Sequence, residues 1–333
     1  MKQTTRLVST FSILSLINLS LILPLLLSLL LSACSGSDGD TTDGKKTGTG
    51  KVTAKTIADP SPTISPRVIY GDDNRLDLYD VKDPARLILA DATVAVILSS
   101  DLTTAGDRTN IRTTKFGDDF ELPLCPTERF REQGTVAFCS GFLIAPDIIA
   151  TAGHCMPNSV GTSNPCAQTR FVFGFGLTSP NKDLTSVPTS QVYGCKKIIK
   201  REQLDNAQDY AVVELDRPVA DHMPLKLRQS GDPALTDELM VIGYPYGLPT
   251  KVADGGRIRS VNNFFLVASL DTYGGNSGSA VFNTRTNEVE GILVRGEEDF
   301  VAQNKCLASN RCPQNGCRGE DATRISYVLP YVK

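Results

Sequence analysis

The stretch CSGFLIAPDIIATAGHC, Cys139 to Cys155, carries two short apolar runs interrupted at Pro146-Asp147. FCSGFLIA is a strand-length run rich in Phe, Leu and Ile, so Cys139 lies at the start of an apolar strand and the segment reads as a hairpin-like loop. It ends on two small residues, Ala152 and Gly153, followed by His154 directly before Cys155. A disulfide between Cys139 and Cys155 would close that loop and pin the His154 backbone, contributing on the order of 3 kcal/mol. A general base has to be held within hydrogen-bond reach of the group it deprotonates, which gives such pinning a purpose. The plainer alternative is a histidine packed beside a structural disulfide, and the rest of the chain has to decide between them.

The same texture continues on both sides. ATVAVIL, RFVFGFG, DYAVVEL, ELMVIGY, FFLVASL, SAVFN and VEGILVRG are all strand-length runs of Val, Ile, Phe and Leu broken by Gly, Pro, Asn and Asp. Helical periodicity is scarce, with PARLILADA as a short candidate. Many short strands with turn punctuation predict an all-β barrel or sandwich. The chain has 333 residues, 41% hydrophobic and 21% charged, enough to bury a sizeable core. Its net charge of −3 lacks the strongly basic balance of a nucleic-acid binder. His154 and His222 are the only histidines, so any imidazole chemistry uses one of them.

The N-terminus reads as something other than fold. Lys2 and Arg6 precede an apolar run from Leu7 to Leu31, the pattern of a secretory signal over residues 1–33. The run ends in LSAC, Leu31 to Cys34, which resembles the bacterial lipobox and implies that Cys34 is lipid-modified. An uncleaved membrane anchor is the alternative, since the run is long enough to span a bilayer. Both readings export the rest of the chain. Residues 34–67 are expected to form a flexible tether with a reach of roughly 30 Å, or a pro-segment removed on maturation. The expected location is a bacterial cell envelope, lipid-anchored on its periplasmic or extracellular face, with secretion as the alternative.

Export turns the remaining eight cysteines into candidates for disulfides. Beyond Cys139 and Cys155, the set Cys125, Cys166, Cys195, Cys306, Cys312 and Cys317 allows 15 pairings. Proximity favours one pair inside the last trio. No histidine lies near CLASNRCPQNGC, and neither a metal nor another cofactor is expected.

Two further stretches carry chemistry. In AQDYAVVELDRPV, Asp209 opens an apolar run, a poor place for a carboxylate unless an imidazolium needs it. A solvated strand-end aspartate is the simpler reading, and Asp216 is a weaker candidate for the same role. In TYGGNSGSAVF, Ser277 lies in a permissive backbone where Gly275 and Ser277 can turn their N–H groups toward one point, an oxyanion hole. Ser279 occupies the second glycine position, so this is not the G-x-S-x-G elbow.

Taken in order, TAGHC, DYAVVEL and GNSGS resemble the His, Asp and Ser motifs of trypsin- and chymotrypsin-like serine proteases. GNSGS with SAVFN and VEGI is most similar to the bacterial glutamyl-endopeptidase-like branch, and ATRISYVLPYV resembles the family's C-terminal segment. The resemblance spans residues 68–333. It implies two antiparallel six-stranded β-barrels, about 68–220 and about 221–333, with the site in the cleft between them. It also implies a catalytic triad of His154, Asp209 and Ser277, protein or peptide substrates, and a monomer. A catalytically inactive binding or envelope-scaffold lipoprotein is the rival reading.

The sequence departs from the family in two places. Asn276 stands where many animal members carry Asp, so the ion pair that those members form on activation is not available here. PRVIYGDD, Pro66 to Asp73, still looks like a processing site that would expose Val68. For substrate choice, the resemblance implies a pocket involving Asp271, Thr272, Arg295 and Gly296. Asp271, six residues before Ser277, would favour Arg or Lys before the scissile bond. Arg295 would instead neutralise that charge, bind an acidic side chain, or pair with Glu297, Glu298 or Asp299 and take no part in specificity.

Overall fold

The structure, a computed structural model, describes residues 69–156, 164–180 and 183–332, which belong to a unit beginning at Pro60. The signal segment, Cys34, the tether and Val68 lie outside the described residues. Among the described residues no helix is long and apolar enough to cross a membrane.

The hairpin expected at the opening stretch is formed by the strands Cys139–Ala145 and Ile148–Thr151. It sits inside a closed antiparallel barrel. Around that barrel the strands run Thr169–Val172, Val192–Gln203, Asp209–Leu215, Ile148–Thr151, Cys139–Ala145 and Thr93–Leu98, the last pairing back to the first. A second antiparallel ring runs Glu238–Gly243, Ala280–Asn283, Val289–Arg295, Glu320–Arg324, Phe265–Ser269 and Lys251–Val261, and it closes through pairing of Lys251–Val261 with Glu238–Gly243. The fold is therefore all-β with two six-stranded barrels.

Closure explains the burial of these strands. A barrel strand has one face inward, and here the outer face is largely covered too, so Thr93–Leu98 and Asp209–Leu215 are buried almost throughout. Leu239, Val241, Leu266, Val281 and Leu293 fill the second barrel. Phe142, Phe171 and Val213 belong to a larger core that reaches from the first barrel to Phe282 and Ile292 of the second. The short helix Pro84–Asp91 matches PARLILADA, with Pro84 in its first turn and the Asp83 side chain accepting from the Ala85 N–H at 2.9 Å.

The segment before the first barrel joins the second. Arg75–Asp77 adds to the edge of Lys251–Val261, and Ile69–Tyr70 pairs in parallel with Arg311–Cys312. The strands of the first barrel begin at Thr93, so the stretch from Ile69 to Asp77, expected with the first barrel, contributes its hydrogen bonds to the other side. Among the described residues four disulfides are present: Cys139–Cys155, Cys125–Cys306, Cys166–Cys195 and Cys312–Cys317. The last lies within the C-terminal trio and leaves Cys306 to reach Cys125.

Candidate active site

His154 follows the end of strand Ile148–Thr151 in a single turn of 3-10 helix, Gly153–Cys155. Gly153 must be glycine, because a Cβ there would come within 1.9 Å of the Glu202 carbonyl oxygen and 2.8 Å of the Asp209 carboxylate. Asp209, at the start of the neighbouring strand, is buried. Its two oxygens are both used on the histidine: Oδ1 accepts from the His154 backbone N–H at 3.0 Å, and Oδ2 lies 2.7 Å from Nδ1. A proton on Nδ1 satisfies that contact and leaves Nε2 as a base.

Asp209 is braced across the two barrels. The Thr323 hydroxyl, on a second-barrel strand, accepts from the Asp209 N–H at 3.1 Å and donates to the Asp209 carbonyl at 3.0 Å. The serine loop is braced in the opposite direction. Ser140, on the first barrel, gives its N–H to the Ser277 carbonyl at 2.7 Å and its hydroxyl proton to the Gly275 carbonyl at 2.8 Å, and its Oγ accepts from the Tyr244 N–H at 3.0 Å. Neither Thr323 nor Ser140 carries a sequence signal; only the crossing of the barrels gives them these partners.

The backbone around Ser277 needs its glycines. Gly275 and Gly278 have φ of 82° and 90°. A Cβ on Gly278 would lie 2.0 Å from the Ser140 carbonyl oxygen, and one on Gly275 2.8 Å from that of Tyr244. The Gly278 N–H goes to Leu293 and that of Asn276 to Tyr273. Asn276 is buried and accepts from the Ser279 hydroxyl at 3.1 Å, so its contact in the folded chain is neutral.

Beside Ser277 opens a cavity of about 280 Å³. Thr272, Arg295 and Gly296 line it together with Gly274, Asp299 and Glu320. Asp271 is turned elsewhere: its carboxylate accepts the backbone N–H groups of Tyr70 and Asn74, each at 2.8 Å. Burial pushes its pKa up to about 6 against the pull of those two donors. Arg295 is committed to Asp321 at 3.0 Å and to the Ala207 carbonyl. Glu320 is 3% exposed, and burial pushes its pKa up to about 8. Nothing in RGEDATRIS marks it in the sequence; its place on the cavity wall depends on its strand pairing between Phe265–Ser269 and Val289–Arg295.

Cys139, His154 and Cys155 place their donor atoms within 4.8 Å of one another, but both sulfurs are spent in a disulfide. His222 is held by Asp91 at 2.8 Å and stacks on Phe173 at 4.2 Å, a packed histidine remote from this arrangement of residues. Asp216 accepts from the Gly194 N–H and pairs with Arg217.

Residues 139–292 match the trypsin-like peptidase domain family. The glutamyl endopeptidase of Bacillus licheniformis is 29% identical over 161 residues, covering 46% of this chain and 48% of that protein. The chain thus spans about half the length of that curated relative. Among solved structures, a Glu endopeptidase in complex with MPD is 17% identical with a TM-score of 0.45, covering 79% of this chain and 96% of that one. The VesB protease of Vibrio cholerae is 15% identical with a TM-score of 0.46, covering 78% and 66%.

Proposed function

We propose, from the premise that residues 139–292 carry a trypsin-like peptidase domain, that this chain is a serine endopeptidase working through His154, Asp209 and Ser277. The observation that carries the reading is the doubly bonded Asp209–His154 pair, on the same barrel as Ser140, whose N–H and hydroxyl hold the Ser277 and Gly275 carbonyls. His154 Nε2 takes the Ser277 proton as Oγ attacks the carbonyl carbon of the scissile bond. The developing oxyanion is met by the N–H groups of Gly275 and Ser277, each such donor being worth roughly 3 kcal/mol. His154 then returns the proton to the leaving amine, and Asp209 stabilises the imidazolium in between. Water, activated the same way, releases the acyl group from Ser277.

Cleavage after Arg or Lys is the preferred specificity, supported by the carboxylates around the cavity beside Ser277. Cleavage after acidic residues is a second reading, favoured by the relative named as a glutamyl endopeptidase and by Arg295 on the cavity wall. The signal pattern supports export, and LSAC supports a lipid anchor at Cys34 on a bacterial envelope membrane. Residues 34–67 then act as the tether and 68–333 as a monomeric protease domain.

A fluorophosphonate probe tests the central reading. It should label wild-type protein and not Ser277→Ala, and hydrolysis of a casein substrate should vanish with the label. A folded wild-type chain that takes no label would favour the inactive binding or scaffold lipoprotein instead.

A further inference from the structure

We infer that Glu320, assisted by Asp299, is the residue pair that reads the substrate, receiving the cationic end of an Arg or Lys side chain that precedes the scissile bond. The inference rests on the endopeptidase reading above and gives its pocket a determinant that the sequence had assigned to Asp271.

Three observations converge. First, Glu320 lies on the wall of the same cavity as Ser277, so a carbonyl presented to Ser277 drops its own side chain toward Glu320. Second, the carboxylate is a built feature. Thr272 Oγ1 donates to it at 3.1 Å, the Tyr70 hydroxyl at 3.2 Å and the Glu297 backbone N–H at 3.3 Å, from three separate segments. Gly296 leaves the space it fills, since a Cβ there would sit 1.6 Å from Glu320 Oε2. Third, no cation answers it. Successive strand residues face opposite ways, and the next residue, Asp321, collects both nearby guanidiniums, Arg295 at 3.0 Å and Arg318 at 2.6 Å. Among the described residues neither Glu320 nor Asp299 has an ion-pair partner. Among the described residues the Asp299 carboxylate accepts only the Gly274 N–H, at 2.7 Å.

A carboxylate desolvated at a cavity wall without a counter-charge holds its proton too tightly, and burial raises Glu320 to about 8 and Asp299 to about 6. A guanidinium or ammonium entering the cavity supplies the missing charge and draws both groups into their ionised form. An acidic substrate side chain would add a third carboxylate to the same space. Asp271 offers no comparable contact, because both of its oxygens already serve the Tyr70 and Asn74 amides.

The test uses peptides that differ only in the residue before the scissile bond, Arg, Lys, Gln or Glu, on wild type, Glu320→Gln and Asp271→Asn, each checked by fluorophosphonate labelling. Wild type should favour Arg over Gln, and that ratio in kcat/KM should fall about 10²–10³-fold in Glu320→Gln, as expected when one partner of a desolvated charge pair is removed. Benzamidine should inhibit wild type competitively, a measurement that does not depend on the variant folding. Labelled wild type that prefers Glu to Arg, or an Arg/Gln ratio that collapses in Asp271→Asn and survives Glu320→Gln, overturns the pocket assignment while leaving the triad intact. A wild type that neither labels nor hydrolyses any of the peptides overturns both.

Discussion

Thr323→Val isolates how much the contact between the barrels contributes to Asp209, the carboxylate of the proposed triad. Valine has nearly the shape of threonine, so no cavity opens at this fully buried site. What disappears is one hydroxyl that accepts from the Asp209 N–H at 3.1 Å and donates to the Asp209 carbonyl at 3.0 Å. Two lost hydrogen bonds at about 1 kcal/mol each set a floor of about 2 kcal/mol, and leaving buried backbone groups unpaired adds about 1–3 kcal/mol. A total of about 3–5 kcal/mol is a large share of a typical stability of about 5–15 kcal/mol. Urea unfolding monitored by circular dichroism measures it. Because Thr323 acts on Asp209 through the backbone, kcat should fall about tenfold with KM little changed, and Thr323→Ser should restore both stability and kcat. A Thr323→Val protein within about 0.5 kcal/mol of wild type, with unchanged kcat, would show that the barrel contact does not hold Asp209 in place.

Ser277→Ala should lower kcat by several orders of magnitude, to a residue of turnover from the oxyanion site and binding alone, while leaving the unfolding midpoint close to that of wild type, because the loop is held by Ser140 and its glycines; turnover near the wild-type rate would exclude Ser277 as nucleophile. Gly278→Ala should inactivate the protein and destabilise it by more than about 2 kcal/mol, since the new Cβ meets the Ser140 carbonyl and sits at positive φ; a crystal structure with the loop undisturbed would contradict this. Glu320 binds its proton more tightly folded than unfolded, so the stability it contributes is complete below its unfolded pKa of about 4 and is lost as pH rises toward 8. Facing Tyr70, Glu297 and Asp299, it should give a falling stability slope over that range. Glu320→Gln should flatten the slope, and an unchanged slope in pH-resolved thermal melts would place the titration elsewhere.

The proposed triad of His154, Asp209 and Ser277 was read from local patterns: a small-residue turn before a cysteine, an acid opening an apolar strand, a serine among glycines; of these the structure sets Asp209 2.7 Å from His154 Nδ1. The two barrels followed from strand-length runs and from the order of those patterns. The bracing residues were not legible. Ser140 and Thr323 look like ordinary strand residues, and their partners lie 135 and 114 positions away. Nor could sequence show that Ile69 to Asp77 would cross to the second barrel, since strand pairing across such distances depends on the closed topology.

Asp271 and Glu320 show the physical limit most sharply. Spacing from Ser277 puts Asp271 close to the pocket, but direction is decided by competition for its oxygens. The crossing N-terminal segment presents two amide donors at 2.8 Å, and a buried carboxylate turns to them because unpaired burial is the costlier state. Glu320 is then one of the acids left lining the cavity, with Glu297, Glu298 and Asp299, and Tyr70 of the same segment donates to it. The segment that removes one acid from the pocket therefore orients another. Tyr70→Phe should leave Asp271 bonded through the backbone yet release one of the three donors on Glu320. The expected result is a several-fold loss in kcat/KM for Arg peptides, with a smaller effect on Gln peptides. Equal losses on both would mean that Tyr70 supports the loop as a whole and does not aim Glu320.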